Sequence, residues 1–219
     1  MPHAAIPTSA VDTAALHSPG RLEGGFLVAL VLAAFAWSGI GPTDRLTWLL
    51  EVVWVIPALP LVLLLRRRFP LTRLLCWLLA AHALVLVYGG HHTYALTPLG
   101  LWVQDALELA RNHYDRLGHL MQGVVPALLA RELLLRRTPL RPGAWLSYLC
   151  VAAALSFSAF FEMLEWWAAL VWGGEADAFL ATQGDVWDTQ WDMAMCLLGA
   201  VLVLALGSRL HDRQLGLGR

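Results

Sequence analysis

The chain has 219 residues, of which 58% are hydrophobic and 14% are charged, and its mean hydropathy is +0.61. It is far too apolar for an ordinary soluble domain, and the composition also excludes a secreted disulfide scaffold and a disordered protein. The formal net charge is −1, every basic residue is an arginine, and no basic tract free of apolar neighbours is present to bind nucleic acid.

The distribution of apolar residues predicts an all-α, polytopic transmembrane bundle of about six helices. A hydrocarbon core about 30 Å thick needs roughly 20 apolar residues in a helix. The stretches that approach this length are 24–40, 46–65, 71–88, 117–135, 145–171 and 187–208. Around them we expect a flexible cytoplasmic tail at 1–20, a single domain at 21–210 with an outer connection at 89–116, and a cytoplasmic tail at 211–219.

The first apolar run has a second interpretation. It is short, and Ala34-Phe35-Ala36 near its end resembles the small-x-small site of a cleaved signal sequence. We favour an uncleaved first helix, because a long segment precedes the run and Arg21 is the positive residue that flanks it.

The arginines set the expected orientation, since positively charged loops stay in the cytoplasm. With both termini inside, 12 of the 15 arginines lie on the cytoplasmic side, and the outer side keeps Arg45, Arg111 and Arg116. The outer side also collects 12 of the 16 acidic residues, namely Asp44, Glu51, Asp105, Glu108, Asp115, Glu162, Glu165, Glu175, Asp177, Asp185, Asp188 and Asp192. One face of the protein is therefore expected to be strongly acidic.

Ionisable side chains of three predicted helices converge at that face. A helix rises 1.5 Å per residue, so the fifth span reaches its outer end at Glu162 and Glu165, and the sixth begins at Asp188 with Asp192 roughly 7 Å deeper. Residues three or four apart share one helix face. The residues brought to a common depth in this way are Asp115, His119, Glu162, Glu165, Asp185, Asp188 and Asp192.

These carboxylates and the one imidazole predict a divalent metal site. Crowded like charges either protonate or bind a cation, and carboxylates with histidine on facing helices form oxygen-rich metal sites in bundles. The donor set favours Mn, Fe, Mg or Ca, with zinc in a catalytic site as an alternative. An acid inside a membrane span indicates function by default. His119 and Glu165 are the candidate catalytic acid or base.

Structural roles are alternatives for several of these residues. Asp115 and Asp185 are also typical N-caps of the fourth and sixth spans. Glu165 has a potential ion-pair partner in Arg116, the one cation adjacent to the acids on these elements. The other histidines near this depth are structural or weak ligand candidates: His82 inside the third span, and His91 and His92 in the outer connection.

Three strings around the acidic residues resemble a known family. They are RNHYDRLGH at 111–119, GDVWDTQWDM at 184–193, and the run from Ser158 through Glu162 to Glu165-Trp166. With these strings the chain resembles the YjdF family of bacterial inner-membrane proteins, also called domain of unknown function 2238, from about residue 24 to His211-Asp212. The resemblance implies a multi-pass protein of the bacterial inner (plasma) membrane, and it implies no particular activity.

Three classes of function fit this sequence. The leading hypothesis is a metal-dependent membrane enzyme that acts on a lipid or lipid-linked substrate, where the ion lowers the pKa of a water or polarises a carbonyl or phosphoryl oxygen. One alternative is a divalent-cation or proton transporter, in which Pro57, Pro60 and Pro126 break helices near the midplane. The other is a structural or accessory membrane subunit without catalysis.

Overall fold

The structure is a computed structural model that describes residues 16–217, without the side chains of Glu175 and Asp177, and this part of the chain contains helices and turns but no strand. The α-helices in chain order are α1 (Arg21–Ser38), α2 (Arg45–Glu51), α3 (Val55–Leu65), α4 (Arg73–His92), α5 (Pro98–Ala106), α6 (Tyr114–Arg137), α7 (Ala144–Trp172), α8 (Asp177–Leu180), α9 (Asp188–Leu202) and α10 (Ser208–Gln214). The prediction of an all-α fold is confirmed.

Within residues 16–217, five segments are long and apolar enough to cross a membrane: Arg21–Ser38, Arg45–Leu65, Arg73–His92, Ala144–Trp172 and Asp188–Gln214. The remaining predicted span corresponds to α6, whose 24 residues give it a length of about 36 Å. Helix α6 contains charged residues at both ends, has more buried residues than the other helices, and packs against α4, α7 and α9. It is the central helix of the bundle, and a total of six crossings stays a prediction.

The second predicted span is interrupted. Helix α2 ends at Glu51, residues 52–54 form a turn, and α3 begins at Val55. Pro57 explains this position, because it has no N–H and its ring clashes with the carbonyl group four residues earlier, at Val53. Pro60 lies inside α3, and α6 continues through Pro126, so the break expected in the fourth span is absent from α6.

The connections and tails differ from the expected boundaries. Helix α4 continues to His92, so His91 and His92 form the last turn of a helix instead of a loop. The boundary expected at 211 lies within α10, where the His211 side chain is fully buried. The tail expected at 1–20 lies outside the described residues as far as residue 15. Within the described part of that tail, the backbone N–H of His17 donates to the carbonyl of Gln214, and its carbonyl accepts from the N–H of Arg73.

The two most tightly packed helices, α6 and α9, approach each other through glycines. A Cβ atom added at Gly123 would overlap the carbonyl oxygen of Cys196, and one added at Gly199 would overlap the carbonyl oxygen of Leu120. Small residues at such crossings let two backbones come into contact, which is how many membrane helices associate. The contact joins the first half of α6 to the second half of α9, and it brings the first turns of the two helices to the same end of the bundle.

A buried polar cluster near the C-terminal end of α6 joins that helix to the ends of α4 and α10. The Glu132 carboxylate accepts hydrogen bonds from the backbone N–H and hydroxyl of Thr72 and from Arg136, and lies 3.1 Å from Nε2 of His211. Arg131 donates to Asp212 at 2.7 Å. Both oxygens of Glu132 therefore have partners, as buried carboxylates require.

The glycine contact predicts that Gly123→Ala and Gly199→Ala destabilise the protein by at least about 1–3 kcal/mol, because the added methyl group forces two backbones apart. Thermal unfolding in detergent, followed by intrinsic tryptophan fluorescence, measures the effect. Gly25→Ala is the matched control, since it lies in α1 with no neighbouring heavy atom within 4 Å of the added Cβ. Equal melting temperatures for Gly25→Ala and Gly199→Ala would contradict the contact.

The cluster around Glu132 predicts that Glu132→Gln costs about 3–5 kcal/mol of unfolding free energy, because buried cations lose their charged partner. Glu23→Gln breaks an ion pair with Arg73, whose side chain is 60% exposed. This variant is expected to change the unfolding free energy little, because exposed ion pairs contribute little to stability. Both variants are compared by thermal unfolding in the same detergent. A similar drop in melting temperature in both variants would contradict the prediction that the buried Glu132 cluster stabilises the protein more than the exposed pair does.

Candidate metal centre

The first half of α6 and of α9 and the second half of α7 meet at the end of the bundle opposite the Glu132 cluster. Asp115 and His119 lie one turn apart on α6, and Asp192 lies on α9 beside them. One ligand atom from each of these residues lies within 4.8 Å of the other two, and all three side chains are buried. The glycine contact between α6 and α9 is what brings Asp192 this close to His119.

A second group of ligand atoms shares the same histidine. His119 of α6 and Glu162 and Glu165 of α7 also place one ligand atom each within 4.8 Å of the others. The two nitrogens of the His119 ring face different acids, with Nε2 at 3.5 Å from Asp115 Oδ1 and Nδ1 at 3.8 Å from Glu162 Oε1. The imidazole therefore stands between a group of acids on α6 and α9 and a group on α7.

The polar atoms of this site are poorly satisfied by the protein. Several buried side-chain atoms here have no hydrogen-bond partner among residues 16–217: His119 Nδ1, Gln122 Oε1, Ser158 Oγ, Glu162 Oε1 and Asp192 Oδ1. Buried polar atoms in folded proteins are nearly always hydrogen-bonded, and an exception calls for an explanation such as an ion. In the Glu132 cluster, by contrast, both oxygens of a buried carboxylate have hydrogen-bond partners.

Glu51 is a residue of this site that the sequence-based ligand set omitted. Its side chain is 1% exposed, its Oε2 atom has no hydrogen-bond partner among the described residues, and it interacts electrostatically with Asp115 and Glu165. Gly90 of α4 makes room for it, since a Cβ atom there would lie 3.2 Å from the Glu51 Cβ. The available signal was an acid inside an apolar run, just before the helix break that Pro57 imposes.

Tyr94 adjoins these acids in the short 3₁₀ turn after α4. Burial raises the pKa of the Tyr94 hydroxyl well above its ordinary value, and the nearby Glu51 and Asp115 carboxylates raise it further. The side chain therefore stays protonated at neutral pH and can donate a hydrogen bond to a carboxylate.

Asp185 and Asp188 are held by arginines at the edge of the site. Asp185 pairs with Arg111 at 3.3 Å and with Arg116 at 3.1 Å, and Asp188 lies 2.7 Å from Arg111. Neither aspartate belongs to the two ligand groups that share His119 among the described residues. Asp188 still borders them, since it interacts electrostatically with Asp115 and Asp192.

Arg111, which the sequence placed on the acidic side without a partner, pairs with both aspartates. It precedes α6, is 8% exposed, and also donates to the backbone carbonyls of Thr182 and Ala181. It thereby holds the segment before α9 against the start of α6. The alternative pairing of Arg116 with Glu165 is not found, because Arg116 pairs with Asp185.

The expected capping roles are only partly present. Asp185 accepts a hydrogen bond from the backbone N–H of Trp187 at 3.0 Å, next to the start of α9. Asp115 lies inside the first turn of α6, and the backbone N–H of Tyr114 is instead bound by Asn112 at 2.9 Å. The cap before α6 is therefore provided by Asn112, which leaves the Asp115 carboxylate free to face His119.

The other histidines of this end lie outside the two ligand groups. His91 Nδ1 lies 3.0 Å from the carbonyl oxygen of Ser38, and the ring packs on Trp37 at a centroid distance of 4.3 Å. His113 precedes α6, and burial, followed by Arg116 and Arg111, lowers the pKa of its imidazole. His82 has a buried Nε2 without a partner among the described residues.

Comparisons with known proteins agree on the family. The model of the family described as "Predicted membrane protein (DUF2238)" matches residues 25–213. The inner membrane protein YjdF of Escherichia coli (strain K12) is 50% identical over 179 residues, which is 82% of this chain and 86% of that protein. No solved structure matches. The chain therefore belongs to the DUF2238 family and is a multi-pass protein of the inner membrane.

Proposed function

We propose that this protein is a metal-dependent membrane enzyme whose divalent-metal site is formed by Asp115, His119, Asp192, Glu162 and Glu165. The observation that supports this most directly is that His119 Nδ1, Glu162 Oε1 and Asp192 Oδ1, all atoms of the two ligand groups, are buried without a hydrogen-bond partner among the described residues. A bound divalent cation would provide a partner for such atoms and would offset part of the carboxylate charge.

The spacing of the donor atoms is also that of a ligand set. Two ligands about 2.1 Å from one ion at a tetrahedral angle lie roughly 3.4 Å apart. His119 Nε2 and Asp115 Oδ1 are separated by 3.5 Å, and His119 Nδ1 and Glu162 Oε1 by 3.8 Å. Both distances are long for hydrogen bonds and suit donors that share an ion.

The donors favour hard or intermediate cations. Carboxylates with one imidazole suit Mn, Fe, Mg or Ca, and a catalytic zinc ion is the alternative. When bound, such an ion polarises a carbonyl or phosphoryl oxygen or lowers the pKa of a water. His119 and Glu165 are proposed as the groups that move a proton, because they lie among the donors and each has an atom able to accept one.

A lipid or lipid-linked substrate is proposed because of where the site lies. Exposed tryptophans surround this end of α7 and α9: Trp166, Trp167, Trp187 and Trp191. Indole rings concentrate at the boundary between hydrocarbon and water, so the acids lie near headgroup depth. The arginine distribution favours the outer leaflet, since the opposite end of the bundle contains the turn with Arg66, Arg67 and Arg68.

Packing below the site favours an enzyme over a transporter. Between the acidic end and the Glu132 cluster, the centre of the bundle is filled by fully buried apolar residues, including Leu75, Leu128, Ala154 and Ala200. A transport path would need polar groups or a cavity through this layer. A purely structural role is disfavoured by the unpartnered donor atoms of these acids, because a stabilising ion-pair network has its carboxylate oxygens paired, as at Glu132.

The metal site predicts that the purified protein retains a divalent ion and that the double variant Asp115→Asn, Asp192→Asn loses it, with affinity lowered by about 100-fold or more. Metal content is measured by mass spectrometry after equilibration with Mn²⁺ and desalting in detergent. Asp105→Asn, at an exposed position on the same side, is the control. Equal metal content in the wild type and the folded double variant would overturn the proposal.

The outer position of the site predicts the accessibility of two exposed positions. A cysteine at Arg67→Cys is expected to react with a membrane-impermeant maleimide only after cells are permeabilised, and a cysteine at Leu107→Cys is expected to react in intact cells. The native cysteines, Cys76, Cys150 and Cys196, are at least half-buried in apolar surroundings and provide the background measurement. The reversed pattern would move the site to the cytoplasmic side.

A further inference from the structure

We infer that the site binds two divalent cations, one on each side of the His119 ring. This inference rests on the proposed metal site and deepens it. It assigns Asp115 and Asp192 to one ion, and Glu162 and Glu165 to the other.

The geometry of the ligand groups is the first argument. His119 belongs to two groups of donors, and the groups have no other member in common. The ring nitrogens point in different directions, and each faces a different carboxylate, at 3.5 Å for Asp115 and 3.8 Å for Glu162. Both His119 Nδ1 and Glu162 Oε1 are buried and unpartnered among the described residues, as is Asp192 Oδ1 on the other side of the ring. A single ion on either side would leave orphaned atoms on the other.

The charge of the site is the second argument. Arg111 and Arg116 neutralise Asp185 and Asp188. The acids of the site that form no salt bridge with an arginine are Glu51, Asp115, Glu162, Glu165 and Asp192. One divalent cation balances two of these five charges and leaves three for protons to neutralise. A ring that binds two ions through both nitrogens has lost its N–H proton, so two cations balance four of six charges and leave two for protons. The excess of acids therefore fits two cations with fewer buried carboxyl protons than one cation needs.

Separate helices provide the two groups. Asp192 of α9 contributes to one group alone, and Glu165 of α7 contributes to the other alone, while α6 provides the shared histidine. Glu51 of α2 lies on the side of Glu165, with which it interacts electrostatically. Ions on opposite sides of one imidazole ring lie farther apart than the roughly 3.5–4 Å of sites that clamp both oxygens of one reacting group. Each ion therefore has its own set of three protein donors, linked through the His119 ring.

The test is the number of Mn²⁺ ions per chain in the detergent-purified, full-length protein at saturating Mn²⁺. We expect two ions in the wild type, one in Asp192→Asn, one in Glu165→Gln, and two in the control Asp105→Asn. One ion in the wild type would overturn this inference and leave the proposed metal site intact. Absence of bound ion would overturn both.

A spectroscopic measurement gives an independent test of the two-ion arrangement. At full loading, the electron paramagnetic resonance spectrum of the wild type should show broadening from magnetic interaction between neighbouring Mn²⁺ ions. Asp192→Asn and Glu165→Gln should each give the narrower hyperfine pattern of an isolated ion. An isolated-ion spectrum from fully loaded wild type would contradict the placement of two ions around one ring.

Discussion

The close backbone contact between α6 and α9 is the constraint on which the rest of the structure depends. Gly123 and Gly199 each lie against a carbonyl oxygen of the other helix, so neither helix can rotate or slide far without a steric clash. That contact fixes the register of Asp192 relative to His119, one turn before Gly123 on α6. Helix α7 then packs against both and adds Glu162 and Glu165. The chemistry of the acidic end therefore depends on two residues that have no side chain.

The two polar ends of the bundle differ in how well their buried carboxylates are hydrogen-bonded. Around Glu132, arginine, histidine and threonine provide donors for both carboxylate oxygens, and the result joins α4, α6 and α10. Around His119, acids outnumber donors and several atoms have no partner among the described residues. Because the same central helix contains both clusters, a general failure of packing does not explain the difference. The proposed cations would account for the imbalance at the acidic end.

Helical periodicity made much of this arrangement predictable. The spacing from Asp115 to His119 and from Glu162 to Glu165 places each pair on one helix face, and the structure brings both pairs together. Periodicity does not report contacts made by loops, so Arg111 and its hold on Asp185 and Asp188 were missed. Glu51 was left out because an isolated acid in a span gives no partner by spacing alone. The extension of α4 to His92 was also hidden, since two glycines and two histidines resemble a loop.

The positive end of the bundle contains arginines and no lysine. Arginine keeps its proton at every physiological pH, so the arginine charges at this end are the same under all conditions that the cell meets. Binding of the proposed cations changes the charge at the acidic end, near one boundary of the bilayer. A full crossing of the membrane potential is worth about 2.3 kcal/mol per charge at 100 mV, and a cation entering at a boundary crosses only a small part of that drop. Occupancy at that end should thus follow ion concentration and be nearly independent of how strongly the cell is energised.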